Sequence, residues 1–173
     1  MSADFKIVNQ RVPLDQIQFW VNNPRLLEFT RASTELQPID IKNFFLKKES
    51  IEQFKIKELA ANIIDIKMVH DPLHLQPLSG LKNRYILFEG NRRLAALYWI
   101  QHEYGEQFKD ILNNVNSMVY DNLSDINRDK LLANWHEEGK LEWHPFARGL
   151  KMKDEKDRKV YTIKQMEEIY KKT

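Results

Sequence analysis

The feature that most constrains this fold is a strand, a tight turn and a helix that follow one another within residues 85–97. The apolar run at its start holds aromatic and β-branched residues, which predicts a buried strand. Gly90 allows a sharp turn, and Asn91 is a good N-cap for the helix that follows. Apolar residues then recur at helical spacing as far as about Tyr104, where Gly105 is suited to a C-cap.

Two arginines stand in the first turn of this predicted helix, at positions 92 and 93. A helix N-terminus carries partial positive charge and normally attracts acidic side chains, so Arg92 and Arg93 cost stability unless an anion lies nearby. Free backbone N–H groups, the positive end of the dipole and two guanidinium groups together suit a phosphate. An alternative remains open, in which one arginine pairs with Glu89 and the other is solvated.

Residues 88–97, Phe-Glu-Gly-Asn-Arg-Arg-Leu-Ala-Ala-Leu, resemble the central box of the ParB/sulfiredoxin superfamily. That box has a glycine, a polar or acidic residue, two arginines and a nearby alanine, all after a strand. The resemblance implies that the turn Glu89-Gly90-Asn91-Arg92-Arg93 holds the phosphates of a nucleotide. It implies Glu89 as an orienting or polar ligand, and Ala96 near the cleft.

Two further stretches resemble the same superfamily in the expected order. The triplet Asn23-Pro24-Arg25 resembles an Asn-Pro-Arg that follows the first strand, which implies Asn23 and Arg25 in the same cleft. Residues 59–63, Leu-Ala-Ala-Asn-Ile, resemble the first box, which precedes a loop and a proline. In this chain the loop leads through His70 to Pro72, and both are expected near the cleft.

The third box of the superfamily carries acidic and amide groups that resemble magnesium ligands. Counted back from Pro145, this chain keeps only Glu137 there as a hard oxygen ligand. This loss favours nucleotide binding over turnover and leaves Glu137 as the candidate for Mg²⁺. In partition proteins a helix-turn-helix DNA reader follows, and only one helical pattern is found before Thr173, so the chain either continues further or lacks that module.

The expected fold is α+β, a ParB/sulfiredoxin-like small mixed sheet flanked by helices, with a helical C-terminal part. Residues 1–120 would form the nucleotide-binding domain with a helical insertion at about 26–53, either a lid, a contact surface or extra core. Residues 121–173 would form a helical extension packed on it. Strands are expected near 5–12, 73–78, 84–88 and 117–120, and helices near 50–66, 106–113, from 123 and after 160.

Composition excludes several classes of function. The chain has 173 residues, a net charge of +2 and no cysteine, so disulfides, thiol catalysis, cysteine-ligated zinc and the redox chemistry of sulfiredoxin are excluded. It contains no run of about 18 apolar residues and no basic-then-apolar leader, so we expect a cytoplasmic protein without a membrane span. His70 and His74 have a zinc-pair spacing, but Pro72 between them opposes the helix that such a pair needs.

The resemblance therefore implies a nucleotide-binding domain of a DNA-binding or partition-type regulator. CTP or ATP is the implied ligand, with Mg²⁺ as a cofactor and DNA and a second copy of the chain as partners. A nuclease, a CTP-hydrolysing enzyme or a phosphotransferase remains an alternative, with Glu89 as the candidate general base. A degenerate domain that binds only protein is the third alternative.

Overall fold

The structure is a computed structural model that describes residues 5–23, 26, 36–137 and 162, apart from the side chains of 136 and 137. The chain divides into two compact units. The first comprises Met1–Val21 and Leu36–Asn122, and the second Asn22–Glu35 and Leu123–Thr173. Within the described ranges, every helix is too short or too polar to cross a bilayer.

A five-stranded mixed sheet forms the centre of the first unit, with the strand order β1-β5-β3-β4-β2. β1 pairs with β5 and β3 with β4 in antiparallel fashion, whereas the β3–β5 and β2–β4 pairs are parallel. The strands are β1 (Lys6–Val12), β2 (Ile17–Phe19), β3 (Leu73–Pro77), β4 (Tyr85–Glu89) and β5 (Val115–Asp121). The mixed α+β class and the predicted β3–β4 hairpin are thereby confirmed.

Helices occupy most of the remaining described chain. They are α1 (Pro38–Phe45), α2 (Lys48–Gln53), α3 (Ile56–Ile66), α4 (Asn91–Tyr104), α5 (Lys109–Leu112) and α6 (Asp125–Glu137). Two 3₁₀ turns, Leu14–Gln16 and Gly105–Phe108, precede β2 and α5. The predicted helix from residue 91 to 104 is confirmed, with Gly105 at its C-cap, but Gly90 and not Asn91 takes the N-cap position.

Part of the core forms where alternate strand residues point together from one face of the sheet. Leu75 of β3 stands opposite Leu87 of β4 and Val119 of β5, and all three are at most 3% exposed. α3 packs along α4 and buries Ile56, Ala60 and Ile63. Apolar residues at alternate strand positions and at helical spacing therefore account for this core.

The predicted helix at 50–66 is wrong in one respect, because the structure has two helices there. α2 ends at Gln53 and α3 begins at Ile56, and Lys55 between them adopts a left-handed conformation with φ of 53°. The break turns the Phe54 ring against Phe45, with centroids 5.2 Å apart. Packing of the Phe54 ring thus accompanies a backbone conformation that lysine rarely adopts.

The described part of the predicted 26–53 insertion contributes to the core. Ile41 and Phe45 of α1 are at most 2% exposed, and Phe45 stacks on Phe19 of β2 at 5.4 Å. Of a lid, a contact surface and extra core, these contacts fit extra core.

In the second unit, α6 begins where the sequence predicts a helix. The Ser124 carbonyl accepts the Arg128 N–H at 2.9 Å, and its hydroxyl accepts the Asn127 N–H at 3.3 Å, as an N-cap does. Arg128 also pairs with Asp125 at 2.8 Å. The helix predicted after residue 160 lies outside the described residues, as does the Pro145 junction.

Candidate functional site

The turn between β4 and α4 is built around a glycine that no other residue can replace easily. Gly90 has φ of +109°, a region that side chains with a Cβ rarely adopt. A Cβ there would lie 2.8 Å from Leu73 Cδ2 and 3.4 Å from Arg93 Cζ. Both the backbone conformation and the packing therefore require glycine, whether or not a ligand approaches.

Arg93 is held firmly by main-chain groups on the neighbouring loop. Its Nη1 donates to the carbonyl oxygens of Asp71 at 2.8 Å and Pro72 at 2.5 Å. Its Nη2 lies 3.8 Å from Glu89 Oε1, and the Arg93 side chain is only 21% exposed. The guanidinium thus ties the loop before β3 to the first turn of α4.

Arg92 has a different environment on the same turn. Its Nε donates to the Phe54 carbonyl oxygen at 2.9 Å, and the residue is exposed. Among the described residues, no carboxylate forms an ion pair with Arg92. Its two Nη groups therefore remain available to an anion from outside the protein.

Asn91, the first residue of α4, carries a buried amide without a hydrogen-bond partner. The residue is 7% exposed, and neither Oδ1 nor Nδ2 forms a hydrogen bond within the described part of the chain. A buried polar group left unpaired costs about 1–3 kcal/mol. Such a cost is unusual in a folded domain and marks this turn as a candidate binding site.

The N-terminus of α4 adds positive potential to the same place. The first turn contains no acidic residue, and the first intrahelical bond runs from the Leu94 N–H to the Gly90 carbonyl at 3.0 Å. The N–H groups of Asn91, Arg92 and Arg93 precede that bond and have no partner inside the helix. Backbone donors, a helix dipole and Arg92 together form an electrostatic environment for phosphate.

His74 is a polar residue of this region that the sequence pattern did not single out as a site residue. It stands opposite Glu89 in the β3–β4 pair, and its Nδ1 lies 2.9 Å from the Tyr120 hydroxyl. Burial, and secondarily the charge of Arg93, lower the pKa of His74 to about 4, so its imidazole is neutral at pH 7. The alternation of β3 predicts that His74 lies on the face opposite Leu73 and Leu75. This pattern could have indicated its position.

The other predicted site residues are distributed as follows. The carbonyl of Pro72 binds Arg93. The exposed His70 side chain has its Nδ1 3.2 Å from Asp71 Oδ1, and the His70 carbonyl accepts from Asn116 Nδ2 at 3.3 Å. Ala96 is fully buried within α4 and so packs in the core. Asn23 is 3% exposed and belongs to the second unit.

Two predicted residues cannot be placed. Arg25 lies outside the described residues, and so does the side chain of Glu137, although the backbone of Glu137 ends α6. The described residues contain no cluster of three histidine or carboxylate side chains that could hold a metal. The Arg93 guanidinium lies 3.8 Å from the Glu89 carboxylate and opposes a cation beside it, whereas Mg²⁺ at Glu137 stays a prediction.

A separate concavity of about 310 Å³ lies at the other end of the β3–β4 hairpin. Its lining includes Val8, Gln10, Tyr85 and Asp121, and none of the predicted site residues that the structure describes. Within this concavity, Gln10 Nε2 donates to the Tyr85 hydroxyl at 3.2 Å. Among its lining residues that the structure describes, none has a buried polar atom without a hydrogen-bond partner.

Comparison with known proteins adds no family to this geometry: no protein-family model and no curated protein matches the chain.

Proposed function

We propose that this chain is a ParB-like nucleotide-binding domain of a DNA-binding or partition-type regulator, with the phosphates of the nucleotide at the Gly90–Arg93 turn. The observation that carries the proposal is the buried, unpaired amide of Asn91. It lies beside Arg92, a cation without a carboxylate partner among the described residues. A ligand that bears phosphate would satisfy the charge of Arg92 and the helix N-terminus together.

The nucleotide part of the proposal rests on the likeness of residues 88–97 to the superfamily's central box. The choice between CTP and ATP, contact with DNA and pairing with a second copy rest on that likeness alone. The geometry favours binding over turnover, because Glu89 Oε1 lies 3.8 Å from Arg93 and thus serves as a charge partner instead of an open general base.

A degenerate domain that binds only protein is the second candidate function. It is favoured by the hydrogen bonds of both arginines to main-chain carbonyls, which give the motif a structural role without any ligand. The two candidates differ in whether a nucleotide binds at all.

Titration calorimetry of the purified chain against CTP, ATP, ADP and GTP with magnesium separates them. We expect one nucleotide to bind, and we expect binding to disappear when Arg92→Ala and Arg93→Ala are combined. Hydrogen bonds to charged groups contribute about 1.5–3 kcal/mol each, so the double variant should lose several kcal/mol of binding free energy. If none of the four nucleotides binds to the wild-type chain, the proposal is wrong and the protein-interaction domain takes its place.

A further inference from the structure

Resting on the function proposed above, we infer that the two adjacent arginines of the turn have different roles. Arg92 is the residue that binds phosphate, and Arg93 is a positioning residue that clamps the loop before β3 onto α4. The superfamily resemblance alone treats the pair as equivalent phosphate ligands. The contacts of the two side chains distinguish them.

The contacts of Arg93 show that its guanidinium is occupied by the protein. Nη1 bridges the carbonyl oxygens of Asp71 and Pro72, and Nη2 lies near the Glu89 carboxylate. The Arg93 Cζ would also lie 3.4 Å from a Cβ at Gly90, so the side chain packs directly against the turn. To bind phosphate, Arg93 would have to release the loop that it holds.

The Arg92 side chain is fixed in place but keeps hydrogen-bond donors for a ligand. A single bond from Nε to the Phe54 carbonyl fixes the side chain, and the exposed guanidinium keeps both Nη groups for a ligand. An arginine fixed in this way loses less conformational entropy when it binds an anion. Phe54 belongs to the α2–α3 break, so that break sets where the Arg92 guanidinium lies.

The single variants Arg92→Ala and Arg93→Ala form a matched pair, because they remove the same side chain from neighbouring positions. For each we would measure the melting temperature and the calorimetric Kd for CTP, ATP, ADP and GTP. Arg92→Ala should raise the Kd of the bound nucleotide roughly 10-fold or more and change the melting temperature by less than about 2 °C. Arg93→Ala should lower the melting temperature by about 4 °C or more.

Lysine variants distinguish these two roles from a general loss of stability. Arg92→Lys keeps the positive charge and should recover part of the affinity lost in Arg92→Ala. Arg93→Lys also keeps the charge, but its single ammonium lacks the planar fork and should not restore the melting temperature.

Two results would overturn the different roles of Arg92 and Arg93. An Arg93→Ala variant that binds more weakly with an unchanged melting temperature would do so, as would an Arg92→Ala variant that keeps wild-type affinity. If the wild-type chain binds none of the four nucleotides, the proposed function fails, and the role of Arg92 fails with it. The melting temperatures would in that case still decide whether Arg93 is the clamp.

Discussion

Each end of the β3–β4 hairpin has a glycine with positive φ, but the two glycines differ in how closely they are packed. At the loop end, Gly80 has φ of +77° and nothing lies within 4 Å of the position of its missing Cβ. At the α4 end, Gly90 has φ of +109° and the same position is filled by Leu73 and Arg93. One glycine therefore only permits a turn, whereas the other permits a turn and a close packing contact.

The polar side chains at the two ends of the hairpin also differ, in whether they have hydrogen-bond partners. At the loop end, an open concavity is lined by Gln10 and Tyr85, among other residues. The Gln10 amide and the Tyr85 hydroxyl form a hydrogen bond there. The α4 end buries an amide, Asn91, without any partner that the structure describes. A depression in the surface is thus a weaker indication of function here than a buried group that costs stability.

The largest effect that tests this comparison is expected from alanine at the two glycines. Gly90→Ala should lower the free energy of unfolding by about 3 kcal/mol, because backbone strain adds to overpacking against Leu73. Gly80→Ala is the matched control and should cost only about 1 kcal/mol, since it meets the backbone strain alone. Urea unfolding of both variants measures the difference, and equal losses would show that the two turns are packed alike.

The next effect concerns the pH dependence of stability at the α4 end. The pKa of His74 falls from 6.5 to about 4 on folding, so folding favours the neutral imidazole. Its contribution is fully present above pH 6.5 and is lost as the pH falls toward 4, because the unfolded state takes up the proton first. Between pH 7.5 and 4.5 the loss should be about 2–3 kcal/mol.

The variant His74→Gln isolates this contribution from the titration of carboxylates. It should show a smaller loss of unfolding free energy over the same pH interval than the wild-type chain. The charged groups that act on His74 are Arg93, Glu89 and Asp71, and all three remain in the variant. An unchanged pH dependence would mean that His74 titrates as a solvated residue.

The smallest effect is expected at Asn91, and its sign is unusual. Asn91→Leu should raise the free energy of unfolding by about 1 kcal/mol, because it removes two unpaired buried polar atoms. The same variant should bind nucleotide more weakly, as expected for a binding residue that is kept at a cost in stability. Asn62→Leu on the exposed surface of α3 is the control and should change the stability by less than about 0.5 kcal/mol. Asn91→Leu would contradict the account if it destabilised the chain and left nucleotide affinity unchanged.

The sequence predicts the strand, turn and helix around Gly90 well because local patterns determine them. Alternation specifies β3, a short apolar run specifies β4, and the glycine specifies the turn. The break at Lys55 was missed, since a left-handed conformation is expected at glycine or asparagine and not at lysine.

The partners of the arginines could not be predicted from the sequence for a different reason. Arg93 binds carbonyl oxygens 21 and 22 residues earlier in the chain, and Arg92 binds one 38 residues earlier. Every residue carries such a carbonyl, so no residue type signals the contact. The sequence therefore locates the candidate turn, and the tertiary structure gives its two arginines different contacts.

Under the proposed function, the α4 end of the hairpin, and not the concavity at the loop end, binds the nucleotide phosphates. Two-dimensional ¹⁵N–¹H NMR of the chain titrated with CTP, and separately with ATP, tests it directly. We expect one of the two to shift the backbone amides of Asn91, Arg92 and Arg93 and the side-chain amide of Asn91. Shifts confined to Gln10, Tyr85 and Asp121 of the concavity, or no shifts with either nucleotide, would contradict this placement of the phosphates.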